Sequence, residues 1–195
     1  MKSILKHNKK VLHQAGFTLI EMLVAVSIFA IVMVVSVGTL IVLVSSANSA
    51  QVLQSISTNL SFALDNMTRN IRTGYSYYCT NSSLSGNLPL GTNGCASGGR
   101  AIVFTESSTN TRIAYRYNST EGSLEQRVSS TGSWRRLTSD DVKIEKAVFY
   151  VNGSAEPSGE EQPTVRVILT ASAADGGVTE TPFYLQTTIV QRILD

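Results

Sequence analysis

Between Lys10 and Asp65 the chain carries one formal charge, Glu21, set just ahead of an apolar run over residues 22–44 that holds no ionisable group. A carboxylate placed against lipid is costly, so it marks a functional site by default and calls for a cationic partner. The other residues able to do chemistry are few. His7 and His13, the 2 histidines, both precede the apolar run. Cys79 and Cys95 can close a disulfide loop if their domain lies outside the cytoplasm, or stand as two separate buried thiols; zinc is poorly supported because no other soft ligand accompanies them. The paired acids Asp140-Asp141 and Glu160-Glu161 read as a turn and a solvated loop, without the alternating ligand spacing of a calcium loop. There is no G-x-S-x-G and no phosphate-binding loop. Asn-x-Ser/Thr triplets at Asn59, Asn66, Asn81, Asn118 and Asn152 are expected by chance in so Ser/Thr-rich a chain.

The elements that must position these groups follow from periodicity. Residues 22–44 are 23 in number, enough at about 1.5 Å per residue to cross a hydrocarbon core of about 30 Å. The run is too long for a secretory signal core, and no cysteine beside it suits a lipoprotein. Lys2, Lys6, Lys9 and Lys10 put the N-terminus in the cytoplasm and the C-terminal part across the membrane. Residues 45–74 contain no proline, and Val52, Ile56, Leu60, Leu64, Met67 and Ile71 recur at three- or four-residue spacing, which predicts an amphipathic helix laid against a domain. Gln51, Asn59, Asn66, Arg69 and Asn70 are assigned to its opposite face, and Gly74 to its stop. Gly38 lets neighbouring helices approach closely.

The segment Gly16-Phe17-Thr18-Leu19-Ile20-Glu21 with the apolar helix behind it resembles the N-terminus of type IV pilins and type II secretion pseudopilins. That family has a short basic leader, Gly before a cleavage site, Phe after it, a glutamate four residues on, and a long hydrophobic helix. Further along, residues 63–72 resemble the helix end of J-type minor pseudopilins and related minor pilins, although Arg69 and Arg72 read equally well as solvated helix charges.

The resemblance implies two reactions performed on the chain rather than by it. A prepilin peptidase cuts between Gly16 and Phe17, where glycine suits close approach of the enzyme, and methylates the new Phe17 amine. Losing residues 1–16 removes both histidines and four of the 16 Lys and Arg residues, leaving 12 against 14 Asp and Glu, a balance of −2. Histidine-dependent catalysis and imidazole metal sites are then excluded, and near-neutrality supplies no electrostatic reason to expect nucleic acid. The Phe17 amine and Glu21 of neighbouring subunits are expected to pair and so fix register, while Leu19, Ile20, Leu23, Ile28, Phe29 and Val32 pack. The domain lies outside the cytoplasm, where Cys79 and Cys95 can form a disulfide. The implied role is a non-enzymatic minor pilin or pseudopilin without cofactor, anchored by a single pass in a bacterial inner membrane. Its implied partners are other pilin-like subunits, the peptidase, and an inner-membrane assembly platform with its ATPase. A major pilin, or a membrane-anchored periplasmic adhesin or enzyme with no filament role, is the alternative.

The expected organisation is a leader at 1–16, a transmembrane and assembly helix at 17–44, an amphipathic continuation at 45–74, and a disulfide-tied loop with a β-sheet domain at 75–195. Residues 75–99, rich in Ser, Asn and Gly, are expected to be irregular. Strands are expected at 101–105, 111–117, 124–128, 143–151, 164–171 and 183–192, with Leu185, Thr187 and Ile189 sharing a face. Loops are expected at 118–123 and 153–162, and a turn at Asp175-Gly176-Gly177. Short links predict antiparallel order. The class is α+β: a long N-terminal helix covering one antiparallel sheet.

Overall fold

The computed structural model describes residues 16–154, 162–174 and 182–192. The basic leader with His7 and His13, the Glu160-Glu161 pair, most of the 153–162 loop and the Asp175-Gly176-Gly177 turn lie outside the described residues. The chain divides into two compact units, Met1–Ala47 and Asn48–Asp195.

Helix α1 runs Leu19–Arg72 and crosses that division. It starts where Thr18 caps it: the Glu21 N–H donates to Thr18 Oγ1 (3.3 Å) and the Met22 N–H to the Thr18 carbonyl (3.3 Å). Its last carbonyls are also taken up. The Thr73 hydroxyl donates to Arg69 O (3.3 Å), the Tyr77 hydroxyl lies 2.7 Å from Ile71 O, and the Arg192 N–H donates to Arg72 O (2.8 Å). Gly74 follows after Thr73, and a Cβ there would strike the Phe104 ring.

Among the described residues the C-terminal unit carries nine strands: β1 Gly74–Thr80, β2 Cys95–Gly99, β3 Ala101–Glu106, β4 Arg112–Asn118, β5 Ser123–Val128, β6 Arg135–Arg136, β7 Val142–Asn152, β8 Thr164–Ala173 and β9 Phe183–Val190. Every paired strand is antiparallel, as the short links require. They form not one sheet but two, ordered β1-β3-β4-β5-β6 and β2-β7-β8-β9. The α+β class stands, with the single expected sheet replaced by a pair.

The division has a local cause in the segment read as irregular. Residues 75–99 hold β1 and β2, and the two strands join different sheets. The aromatic run Tyr75, Tyr77, Tyr78 favours strand, whereas Ala96-Ser97-Gly98-Gly99 has little propensity of its own. Those four residues are extended because β7 is there to pair with, Cys95 opposite Val151 and Gly99 opposite Phe149.

The core lies where α1 meets both sheets. Ile56, Leu60, Ala63, Leu64, Met67 and Ile71 are buried, with Val52 partly covered. They pack with Ile102, Phe104 and Tyr115 from one sheet and Ile144, Phe149, Val167, Leu169 and Ile189 from the other. Burying each large apolar side chain stabilises by roughly 1.5–3 kcal/mol. The alternation expected in β9 is present, with Ile189 buried, Leu185 and Thr187 half-buried, and Tyr184, Gln186 and Thr188 exposed.

The polar face of the helix departs from expectation. Asn59, Asn66 and Asn70 are half-buried and bond to the strand domain. Asn70 Nδ2 donates to the Tyr115 hydroxyl (2.8 Å), that hydroxyl donates to Asn66 Oδ1 (3.2 Å), and Gln126 Nε2 donates to it (3.0 Å). The Ser139 N–H donates to Asn59 Oδ1 (3.1 Å). Asparagine at the rim of an apolar stripe reaches neighbouring strands as readily as water, and periodicity does not separate the two fates. Burial pushes the Tyr115 phenol up to about 12, against the lowering effect of its Asn70 and Gln126 hydrogen bonds. It raises Tyr77 as well.

Candidate functional site

Gly16, Phe17 and Thr18 are non-helical and exposed, and Glu21 follows in the first turn of α1. Gly16 has nothing within 4 Å of where a Cβ would stand, and Phe17 is 75% exposed. Glu21 occupies the third helical position after the Thr18 cap. A carboxylate there complements the positive helix end, and Thr-x-x-Glu is the spacing of a capping box. The motif reading passes over Thr18, although that spacing is visible in the sequence.

Among the described residues Glu21 forms no ion pair; the three present, Arg69–Asp65, Arg116–Glu125 and Arg136–Asp140, all belong to the C-terminal unit. A cation for Glu21 has to come from the chain's own amino end or from another molecule.

Behind Glu21 the helix is apolar on every side. Phe29, Val34, Leu40 and Val42 are among a run of large apolar side chains left more than half exposed. The hydroxyls of residues 22–44 are all turned back onto the helix: Ser27 donates to Leu23 O (2.8 Å), Ser36 to Val32 O (2.7 Å) and Thr39 to Ser36 O (2.9 Å). That is the arrangement a lipid-facing helix needs, because hydrocarbon offers no partner for a free hydroxyl. The helix is long and apolar enough to cross a membrane. Gly38 has open space where a Cβ would be, so another helix can come close there.

In the C-terminal unit Cys79 and Cys95 form a disulfide with Cα atoms 5.7 Å apart, ordinary disulfide spacing. Cys79 lies in β1 and Cys95 in β2, so the bond ties the two sheets together. A Cβ at Gly99 would meet Cys79 Sγ at 2.5 Å, which keeps that neighbouring position small. The loop between the cysteines is strapped to the first sheet by arginines. Arg112 donates to Pro89 O (3.1 Å) and Gly91 O (3.2 Å), Arg116 to Ser83 O (2.8 Å), and Arg127 to Gly86 O (2.9 Å). Leu84 and Leu88 from the loop pack on Ala101, Val103 and Ala114 in a second small core. Burial lowers the Arg112 pKa, opposed by Tyr75. The paired acid Asp140 bonds Arg136 in a turn, and the described residues contain no cluster of acids, cysteines and histidines arranged for a metal.

Residues 12–37 match the family model described as the prokaryotic N-terminal methylation motif. No curated protein and no solved structure matches the chain. The motif, with a membrane-capable helix behind it, supports a protein of the type IV pilin and pseudopilin kind that a prepilin peptidase processes. It supports association with other pilins and a single-pass inner-membrane anchor in the same way.

Proposed function

We propose that the chain is a minor pilin or pseudopilin, most like the J type, which helps to initiate or cap a filament drawn from the bacterial inner membrane. The peptidase cuts between Gly16 and Phe17 and methylates the Phe17 amine, which stays basic. The C-terminal domain is periplasmic or extracellular, and the assembly platform with its ATPase lifts the subunit out of the bilayer. Domain limits follow this use: 1–16 is removed, 17–44 spans and assembles, 45–74 carries the span into the domain, and 75–195 forms the strand domain.

The observation that carries the reading is Glu21, a carboxylate that is exposed and without a described ion-pair partner at the head of an apolar span whose first part the methylation motif covers. The Phe17 amine of one subunit lies four residues, about 6 Å of helix rise, from its own Glu21. An axial offset between subunits sets one molecule's carboxylate against the next molecule's amine. Pairing spares each charge the penalty of standing alone in low dielectric, so the contact sets register while the exposed side chains behind it supply packing area.

The test separates this role from local helix capping. Glu21→Gln keeps a residue able to complete the capping box but removes the charge, and Glu21→Leu removes both. Both variants are expected to insert into membranes, lose residues 1–16 by intact mass, and enter filaments at least tenfold less than the parent. Parental incorporation of Glu21→Gln would reduce Glu21 to a cap. Removal of residues 1–16 from a Gly16→Phe variant would refute the processing site.

A further inference from the structure

The two sheets have four edges, and three are closed to further pairing. On β1 the register shifts between Tyr75 and Tyr78, and Asn93 covers the edge, its N–H donating to Tyr77 O (2.9 Å) and its carbonyl accepting from Cys79 N–H (2.8 Å). Edge strand β6 is only two exposed arginines, Arg135 and Arg136. Strand β2 is short, irregular and fixed by the disulfide. Such devices keep edges from pairing with other chains.

Strand β9 has none of them. Its 8 residues, Phe183 to Val190, include no charge and no proline, and they pair with β8 without a register shift, from Ala171 opposite Phe183 to Thr164 opposite Val190. One step further, the Gln191 N–H donates to Pro163 O (3.0 Å). Antiparallel ladders alternate, so the odd-numbered residues 183–189 bond to β8. Tyr184, Gln186, Thr188 and Val190 then turn their N–H and C=O groups outward, and no described residue pairs with them. Beside that row, Phe183 and Leu185 pack on the core but are only half covered.

We propose that β9 is the docking edge for an extended segment of a different polypeptide, added antiparallel or parallel as a fifth strand to the β2-β7-β8-β9 sheet. Only an extended backbone meets donors and acceptors at this repeat. The segment is uncharged, matching β9, with apolar residues at alternate positions that cover Phe183 and Leu185 and polar ones beside Gln186 and Thr188. A second copy does not fit. Symmetric β9–β9 pairing needs a twofold axis normal to the sheet, which would run the Ile56-to-Ile71 stretches of two helices in opposite directions. Subunits delivered in one sense from one membrane do not meet so, a step that rests on the proposed function. The other described edges of a second copy are the three closed ones.

Full-length chain with the photoreactive residue benzoylphenylalanine replacing Tyr184 or Gln186 is irradiated in cells, and the cross-linked peptides are sequenced. Both positions are expected to join one uncharged, alternating segment of another protein. Thr188→Pro removes an outward N–H without touching the β8 ladder, so it is expected to melt within a few degrees of the parent and to lose the cross-link at least tenfold. Absence of cross-links, joining to β9 of a second copy, joining to a charged or helical segment, or persistence in Thr188→Pro would each overturn the proposal. Removal of residues 1–16 is read on the same samples by intact mass. An uncut chain that still cross-links would defeat the proposed function and leave the docking edge standing.

Discussion

The two stretches of α1 on either side of Ala47 use the same backbone in contrary ways. Over residues 22–44 the apolar side chains stand exposed around the whole circumference, and the only polar groups, three hydroxyls, bond back to the helix. From Ile56 to Ile71 the apolar residues form one buried stripe, and the asparagines beside it bond outward to Tyr115 and Ser139. The first stretch is suited to a medium or a neighbour that the folded monomer does not contain. The second is completed within the monomer. Uniform apolarity suits a solvent that is itself apolar, whereas a stripe suits one surface with water behind it.

The contrast is sharpest for leucine. Leu60 is fully buried and Leu40 is 60% exposed. Leu60→Ala is expected to lower domain stability by about 2–5 kcal/mol, and Leu40→Ala to leave the thermal midpoint in detergent unchanged. A loss shared by both variants would show that the two stretches are not separate in energy.

Next in size is the bond between the sheets. Cys79→Ser with Cys95→Ser is expected to cost about 3 kcal/mol in the chain-entropy account, read by denaturant titration, with membrane insertion untouched. An unchanged midpoint would mean that the arginine strapping of the loop suffices.

A somewhat smaller effect is expected from Tyr115. Below pH 10 its phenol is protonated whether the chain is folded or not, and the stabilisation is fully present. Between pH 10 and its raised value of about 12, the unfolded chain has released the proton and the folded one has not. Stability therefore falls as pH rises through that window, by on the order of 2 kcal/mol. Tyr115→Phe is expected to flatten the decline in urea titrations at pH 9 to 11.5, and an equally steep decline would assign it to other groups. The smallest effect is at the stripe's rim, where Asn70→Ala is expected to cost about 1 kcal/mol and Arg69→Ala, an exposed residue, close to none.

Much of the candidate site is readable as local pattern. Gly16, Phe17 and Glu21 are close neighbours in sequence, and the apolar run needs no partner to be recognised. The later strands were found because alternation and turn residues mark them, as in 111–117 and 183–192. Strand β2 is not legible, because Ala96-Ser97-Gly98-Gly99 becomes a strand only when β7 offers a ladder, whereas β1 carries strand-favouring tyrosines that the Ser, Asn and Gly around them mask. Composition ranked Asn66 and Asn70 with solvent for a similar reason, since their partner, the Tyr115 hydroxyl, is 45 residues from Asn70 in sequence.

From the order of residues alone came the isolation of Glu21, the membrane-length apolar run, the amphipathic stripe and the antiparallel α+β class, because each is a matter of local composition or of spacing over a few residues. The tertiary structure decided that the strands part into two sheets, that Cys79 and Cys95 join one sheet to the other, and that the outer edge of β9 pairs with no described residue. These depend on which distant strands meet, and pairing across a sheet is set by packing and closure of the whole domain rather than by any short run of sequence.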